Sequence, residues 1–347
     1  MKTIYLVVLC VVASVTMVTT QRLVCYLDVQ ATNRTGDGAF NLDNIDPYLC
    51  THLIYAFTSD ITENSTFFGP TKIPYDQLLA PRLKNPKLKI MASIKSEDLK
   101  WDSLAGIEKK INTTVDYLRK YHFDGLDIYW NMTSGNYPVV NFFSAMKHAF
   151  EKYGLIISLA VYTETNSKAM YFMDFVNMVD FISVLAYDLW RSSQAFLEAN
   201  HPAPLYSNIS DVRTVDSLIH YWLEHDTPAV KLNLGIPLYG SSWTIPASSS
   251  SKTEPPVSAW WGPFNKHTGR IGQIPYFEIC SNVKLNGWKV FGEDNNSTGP
   301  YATSAHAGPD QDTNSFIWVG YDDVDTVTIK SEYIRKIRGL GGATVWA

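Results

Sequence analysis

Residues 121–138 read YHFDGLDIYWNMTSGNYP, and their core, FDGLDIYW, is a run of β-branched, aromatic and acidic residues. Side chains alternate along a strand, so Asp127, Tyr129 and Asn131 face one way while Leu126, Ile128 and Trp130 face the other. The first of these faces is polar, the second apolar. The run is preceded by helical spacing over residues 107–121, IEKKINTTVDYLRKY, and followed by VNFFSAMKHAFEKY over residues 140–153. Similar runs recur along the chain: LVCYL from Leu23, THLIYAF from Thr51, LKIMASI from Leu88, GLIISLAV from Gly154, VDFISVLAYD from Val179, VKLNLGIPLY from Val230 and GGATVWA from Gly341. With the stretch at Phe123 these make eight candidate strands alternating with helices. That pattern implies an α/β fold whose parallel sheet closes into a (β/α)8 TIM barrel, with polar residues at the carboxyl ends of strands pointing into the cleft.

The gap between the seventh and eighth runs is too long for one helix. It opens with PASSSSKTEPP and carries Trp260, Trp261, Tyr276, Trp288, Phe291 and Tyr301, so a small α+β insertion over about residues 240–315 is expected. The sequence ends within the eighth strand, where a barrel needs a covering helix, and the expectation is a chain truncated at its C-terminal end.

The flanking composition narrows the function classes. A chain of 347 residues with 46% hydrophobic and 18% charged residues has material for a large core. Its net charge of −5 and lack of a basic run exclude an electrostatic footprint for nucleic acid or an anionic membrane. Residues 1–20 place Lys2 before a short apolar run and small polar residues, the layout of a secretory signal peptide, so the mature chain is expected to begin near Gln21 and to be extracellular. Export leaves Cys25, Cys50 and Cys280. A Cys25–Cys50 bridge would close a loop worth roughly 3 kcal/mol, with Cys280 left either as a buried free thiol or paired with a residue beyond Ala347. Sequons at Asn33, Asn64, Asn112, Asn208, Asn295 and Asn296 are candidate N-glycosylation sites. Asn131 is also in a sequon, but a strand-end asparagine inside a barrel is expected to be skipped. No HExxH, paired CxxC or GxxxxGK[ST] pattern implies a metal or nucleotide, and no cofactor is expected.

FDGLDIYWN resembles the DxxDxDxE strand of glycoside hydrolase family 18, the chitinases and chitinase-like lectins, with Asp124 and Asp127 matching the first two acids. VCYLD, NIDPYLCTHLIYAF, VLAYD, KLNLGIPLYGSSW, GRIGQIPYFEIC, WVGYDDVDTVTIKSEYI and GLGGATVWA extend the resemblance, in order, along nearly the whole mature chain. The resemblance implies cleavage of β-1,4-linked N-acetylglucosamine by substrate assistance. The acetamido oxygen attacks, a glutamic acid protonates the leaving oxygen, and an adjacent aspartate stabilises the acetamide. This sequence has Asn131 in place of that glutamate and Tyr129 in place of that aspartate. An amide has no proton to give, and a phenol titrating near pH 10 carries no charge at neutrality. Asp127, deeper on the same face, is expected to be out of reach of the glycosidic oxygen.

The family's cleft-lining positions fall on Tyr26, Phe57, Tyr187, Asp188, Tyr239 and Trp346, with Trp346 the aromatic floor. Its outer sugar platforms fall on Gln30, Glu97 and Ser193, and an arginine after the seventh strand is Ser241. The implied protein is a secreted, inactive chitinase-like lectin binding chitin or a related chito-oligosaccharide. Two rivals stand beside it: an active chitinase with a substitute acid, and an extracellular signalling or structural protein with a protein partner.

Overall fold

The computed structural model describes residues 21–58, 61, 68–70, 72–99, 104–130, 139–162, 176–189, 198–207, 213–249, 257, 261–292, 298–304 and 315–346. The first seven strands are β1 (Arg22–Asp28), β2 (His52–Ala56), β3 (Lys89–Lys95), β4 (Gly125–Trp130), β5 (Ile156–Val161), β6 (Phe181–Val184) and β7 (Leu232–Pro237). Together with β13 (Gly342–Trp346) they close a parallel barrel in the order β1-β13-β7-β6-β5-β4-β3-β2. All eight expected strands are present. The sixth is shorter than its apolar run: it stops at Val184, so Tyr187 and Asp188 lie beyond its end, and Asp188 takes φ 55°, a left-handed backbone that aspartate tolerates.

Helices flank the barrel where the spacing requires them. Helix α1 spans Tyr75–Lys84, and α2, Leu104–Lys120, buries Ile107, Ile111, Val115 and Leu118 at three- and four-residue intervals. Arg119 and Lys120 in its last turn complement the helix dipole. His122, at φ 54°, reverses the chain, and the Phe123 amide donates to the Leu118 carbonyl, which seals the helix end and feeds β4. On the far side of β4, α3 (Val139–Glu151) buries Phe142, Phe143, Met146 and Phe150. Gly125 opens β4 because a Cβ there would lie 2.2 Å from the Ile156 carbonyl oxygen on β5. The quoted stretch is therefore aimed by a helix stop behind it and a close strand contact beside it.

One residue after β7, strand β8 (Tyr239–Pro246) carries the chain out of the barrel into a second sheet with β9 (Gln273–Pro275), β10 (Lys289–Phe291), β11 (Tyr301–Thr303) and β12 (Ser315–Gly320). This sheet is antiparallel, ordered β10-β11-β12-β8-β9. One face packs Trp243, Ile245, Tyr301 and Trp318 on Ala199; the other packs Ile274, Ala302, Val319 and Tyr321 with Ile279 of α5 (Tyr276–Leu285). Two further helices, α4 (Val215–Glu224) and α6 (Val324–Glu332), complete the described set.

A buried ion pair ties α6 to the chain leaving β12. Lys330 of α6 donates to Asp322 Oδ1 at 2.7 Å and to the Ala203 carbonyl at 2.8 Å, all of it out of solvent. His201 Nε2 lies 3.8 Å from the same carboxylate, and burial lowers the His201 pKa to about 4, so this imidazole is neutral at neutral pH. Cys25 and Cys50 form a disulfide that ties β1 to the segment entering β2, while Cys280 is a free, partly exposed thiol on α5.

Candidate functional site

The barrel interior is unusually polar. Ser93, Asp127, Ser158, Ser183, Asn233 and Thr344 are all inaccessible to solvent and project inward from neighbouring strands. Buried polar groups need partners. Asp127 receives 2.6 Å hydrogen bonds from the Ser93 and Ser158 hydroxyls, and Ser183 pairs with Thr344 at 2.7 Å. The Tyr26 hydroxyl faces Asp127 and couples to it electrostatically without completing a hydrogen bond of normal geometry. Burial pushes the Asp127 pKa up to about 6, against the opposing pull of the two serine hydroxyls.

The four motif positions separate along β4. Asp124 stands at the base, outside the cleft: its carboxylate pairs with Arg82, with Lys89 at 3.1 Å and with the Ile90 amide at 2.8 Å. Asp127 is the locked interior group just described. Tyr129 reaches the mouth. Asn131 lies outside the described residues, as do Ser193, the signal segment, and the sequons at Asn64, Asn208, Asn295 and Asn296. Asn33 and Asn112 are both exposed.

At the mouth, aromatic rings follow one another around the barrel. Tyr26 and Trp346 are 5.3 Å apart between ring centroids, Trp346 and Phe57 5.6 Å, and Phe57 and Tyr129 5.2 Å. The row continues from Tyr129 to Tyr162 at 6.1 Å, Tyr162 to Tyr187 at 5.7 Å, and Tyr187 to Tyr239 at 6.1 Å. These separations are those of interacting ring pairs. Gly235 makes room for Tyr187, whose ring carbon would lie 3.1 Å from a Cβ at that position. The Tyr239 hydroxyl donates to Asp188 Oδ2 at 2.8 Å, which fixes that carboxylate at the end of the row, with Ser241 Oγ 3.5 Å from its other oxygen.

The structure thus brings together all six residues expected to line the cleft. Tyr26, Tyr187 and Tyr239 are buried, whereas Phe57, Trp346 and Asp188 are half-exposed. Of the altered platform positions, Gln30 and Glu97 are exposed and Ser241 is buried. Tyr129 is half-exposed, and its pKa is raised, first by burial and then by the charges of Asp188 and Glu97, while hydrogen bonding with Tyr162 and the charge of Arg270 act the other way. It is therefore a neutral phenol at physiological pH, able to exchange hydrogen bonds but not to supply charge.

Sequence reasoning missed Tyr162 and Lys95. Both extend an inward parity already visible: from Ser158 on β5 to Tyr162, the residue after the strand, and from Ser93 to Lys95 on β3, whose Cα is in register with Tyr129. The Lys95 ammonium lies 5.4 Å from the centre of the Phe57 ring. Among the described residues no group of three or more His, Cys, Asp or Glu side chains could hold a metal ion, and no helix is long and apolar enough to cross a membrane.

Comparison with known proteins places this geometry. The family described as Glycosyl hydrolases family 18 matches residues 22–347. Chitotriosidase-1 of Mus musculus is 31% identical over 358 aligned positions, covering 94% of this chain and 72% of that protein. Among solved structures, catalytic domain 2 of the Ostrinia furnacalis Group II chitinase superposes with a TM-score of 0.79 at 26% identity, covering 94% of this chain and 89% of that one. Human YKL-39, described as a pseudo-chitinase with retained chitooligosaccharide binding properties, superposes with a TM-score of 0.76 at 28% identity, covering 94% and 92%.

Proposed function

The chain belongs to glycoside hydrolase family 18, and from that premise we propose that it is a secreted, N-glycosylated chitinase-like lectin that binds chitin or related N-acetylglucosamine oligosaccharides at the barrel mouth without cleaving them. The observation that carries this proposal is Tyr129: a neutral phenol stands in the aromatic row where substrate-assisted cleavage needs an anion. The general-acid position holds Asn131, whose amide gives up no proton at accessible pH. Loss of a general acid alone lowers the rate about 100-fold to 10,000-fold. Asp127 could be offered as a substitute because it holds its proton up to about pH 6, yet it is wholly enclosed and bonded to two serines below the row. An active chitinase is therefore disfavoured.

Sugar faces stack on aromatic rings, and the half-exposed Trp346, Phe57 and Tyr129 present such a surface in one connected row. The retained chitooligosaccharide binding described for the pseudo-chitinase YKL-39 supports the same outcome here. A second reading, a protein-binding role, draws on Gln30, Glu97 and Ser241 standing at platform positions. Secretion is supported by the Cys25–Cys50 bridge and by exposed sequons at Asn33 and Asn112.

Titration of chitohexaose into the purified secreted protein, followed by tryptophan fluorescence and by product analysis, tests the proposal. Saturable quenching with intact ligand is the expected result. Released shorter oligomers would overturn inactivity, and an unresponsive but folded protein would direct the search to protein partners.

A further inference from the structure

The ligand class can be narrowed further, in an inference that rests on the lectin reading of the mouth. Chitin is neutral, and two positions that would add negative charge to this cleft are a phenol and an amide, which leaves Asp188, held by Tyr239, as the carboxylate at the end of the row. Basic side chains stand near the aromatic row: Lys95 over Phe57, and Arg34 and Arg270 beside Trp346. Lys95 extends from the end of β3 beside Tyr129, its ammonium over the face of Phe57, in the middle of the aromatic row. The nearest carboxylate, Glu97, is 4.0 Å away, and both side chains are roughly half-exposed, at 41% and 54%. A pair of that kind holds neither partner tightly. The Lys95 ammonium is thus available to a ligand lying on the ring.

A second cationic group flanks the floor. A cavity of about 400 Å³ between the segment after β1 and the hairpin before β9 reaches Trp346, and Arg34, Arg270 and Asp28 line it. Asp28 Oδ2 lies between the two guanidiniums, 3.6 Å from Arg34 and 4.0 Å from Arg270. Both separations exceed hydrogen-bonding distance. The other Asp28 oxygen accepts the Gln30 amide at 2.9 Å. Among the described residues neither guanidinium has a hydrogen-bond partner, although Arg34 is only 21% exposed. Burial lowers the Arg34 pKa, the charge of Asp28 acts against that, and the charge of Arg270 adds to it, so two like charges share one carboxylate. Asp37 and His267 stand nearby. Guanidinium forks match a carboxylate geometrically, and one placed between them would receive the donors that Asp28 does not reach. Arg270 is also close enough to Tyr129 for its charge to act on the phenol.

We propose that the cleft selects acidic oligosaccharides, N-acetylglucosamine-type chains carrying uronic carboxylates, with Lys95 and the Arg34–Arg270 pair receiving the carboxylates while the aromatic row receives the ring faces. Each side chain acts on the ligand directly, so the prediction concerns relative affinity.

The test compares chitohexaose with chitohexaose oxidised at C6 to carboxylate, which keeps backbone and linkage and adds only the charge. Calorimetric titration at low and high salt measures both. The oxidised oligomer is expected to bind at least about 10-fold more tightly at low salt, and the ratio to fall toward one in high salt. Lys95→Gln and Arg270→Gln should each reduce the ratio, and the double variant should reduce it furthest, to near one; near-UV circular dichroism checks that all three variants are folded. Chitohexaose binding as well as or better than the oxidised form would overturn the inference and leave the lectin reading standing. Binding of the oxidised form alone would support the inference and overturn the assignment of chitin as ligand. Absence of binding by either would overturn both. A ratio that survives in the folded double variant would remove Lys95 and Arg270 from the recognition.

Discussion

The two ends of the barrel are built on opposite principles. At the base, polar groups are tied across neighbouring strands: Asp124 to Arg82, Lys89 and the Ile90 amide, Asp180 to the Ile157 amide, and Thr51 to the Leu23 amide. Arg22 stacks on Phe181 and donates to Asn233 and to the Val230 carbonyl. At the mouth, rings meet one another in a row, and among the described residues Lys95, Arg34 and Arg270 sit beside carboxylates at 3.6 to 4.0 Å, beyond hydrogen-bonding distance. One short strand, β4, runs between the two regimes. Its acids therefore cannot share one fate. Asp124 serves stability, Asp127 joins the interior network, and the mouth positions are free to change without loss of the fold.

That contrast can be broken most visibly by chemistry. Tyr129→Asp with Asn131→Glu should raise release of products from chitin oligomers by about 100-fold or more above the unmodified chain, at little cost in thermal stability. A folded double variant without turnover would mean that the mouth differs in more than these two groups. At the base the expected effect is on stability alone. Asp124→Ala removes two ion pairs and a charged hydrogen bond from a partly buried site and should lower unfolding free energy by about 2–4 kcal/mol in denaturant titrations. Chitohexaose affinity of the folded fraction should be unaltered.

The interior sharpens the comparison through pH. Asp127 titrates at about 6 when folded and near 4 when unfolded, so in that window the folded state holds the extra proton. Its contribution is fully present at low pH and is lost as pH rises toward 6, by about 3 kcal/mol at most. His52 and His201, lowered to about 4 by burial, act in the opposite sense: they favour the fold above pH 6.5 and cease to do so as pH falls to 4. Asp127→Asn should therefore make stability climb more steeply from pH 4 to 6 than in the unmodified protein, as measured by urea titrations across that range. An unchanged slope would show that the serine bonds, and not burial, dominate that carboxyl. The smallest effect belongs to the floor: Trp346→Ala should weaken chitohexaose binding about 10-fold and abolish most of the fluorescence response.

Much of this was legible in the sequence because period-two alternation and helix spacing are local properties. The eight apolar runs announce their strands, and β4 in particular declares its two faces. The aromatic lining was legible only through the resemblance, since nothing local distinguishes Tyr187 beyond the end of β6 from a core tyrosine. Tyr162 escaped notice because it follows its strand by one residue, and Lys95 because a cation at a strand end is ordinarily a solvated terminus. Arg34 and Arg270 were illegible for a different reason. They are 236 residues apart in sequence and meet only through Asp28, after the hairpin before β9 has been folded back against the segment following β1. Likewise, Asp124 and Asp127 look equivalent in a motif, and only the barrel's depth separates a base tether from an interior acid.

The pairing of β1 with β13 sets a schedule for biosynthesis. Arg22 meets Gly342, about 320 residues later, so one edge of the first strand must wait for the last strand to leave the ribosome. At ordinary elongation rates that wait is roughly 15 to 60 s. During it, β1 can pair only with β2, and the Cys25–Cys50 bond, joining positions just 25 residues apart, can hold those two strands together from the start. On the secretion proposed above, the nascent chain would pass through an oxidising compartment as a growing open sheet with a waiting edge, and its yield in a cell should then depend on oxidant and chaperone supply early in synthesis rather than late.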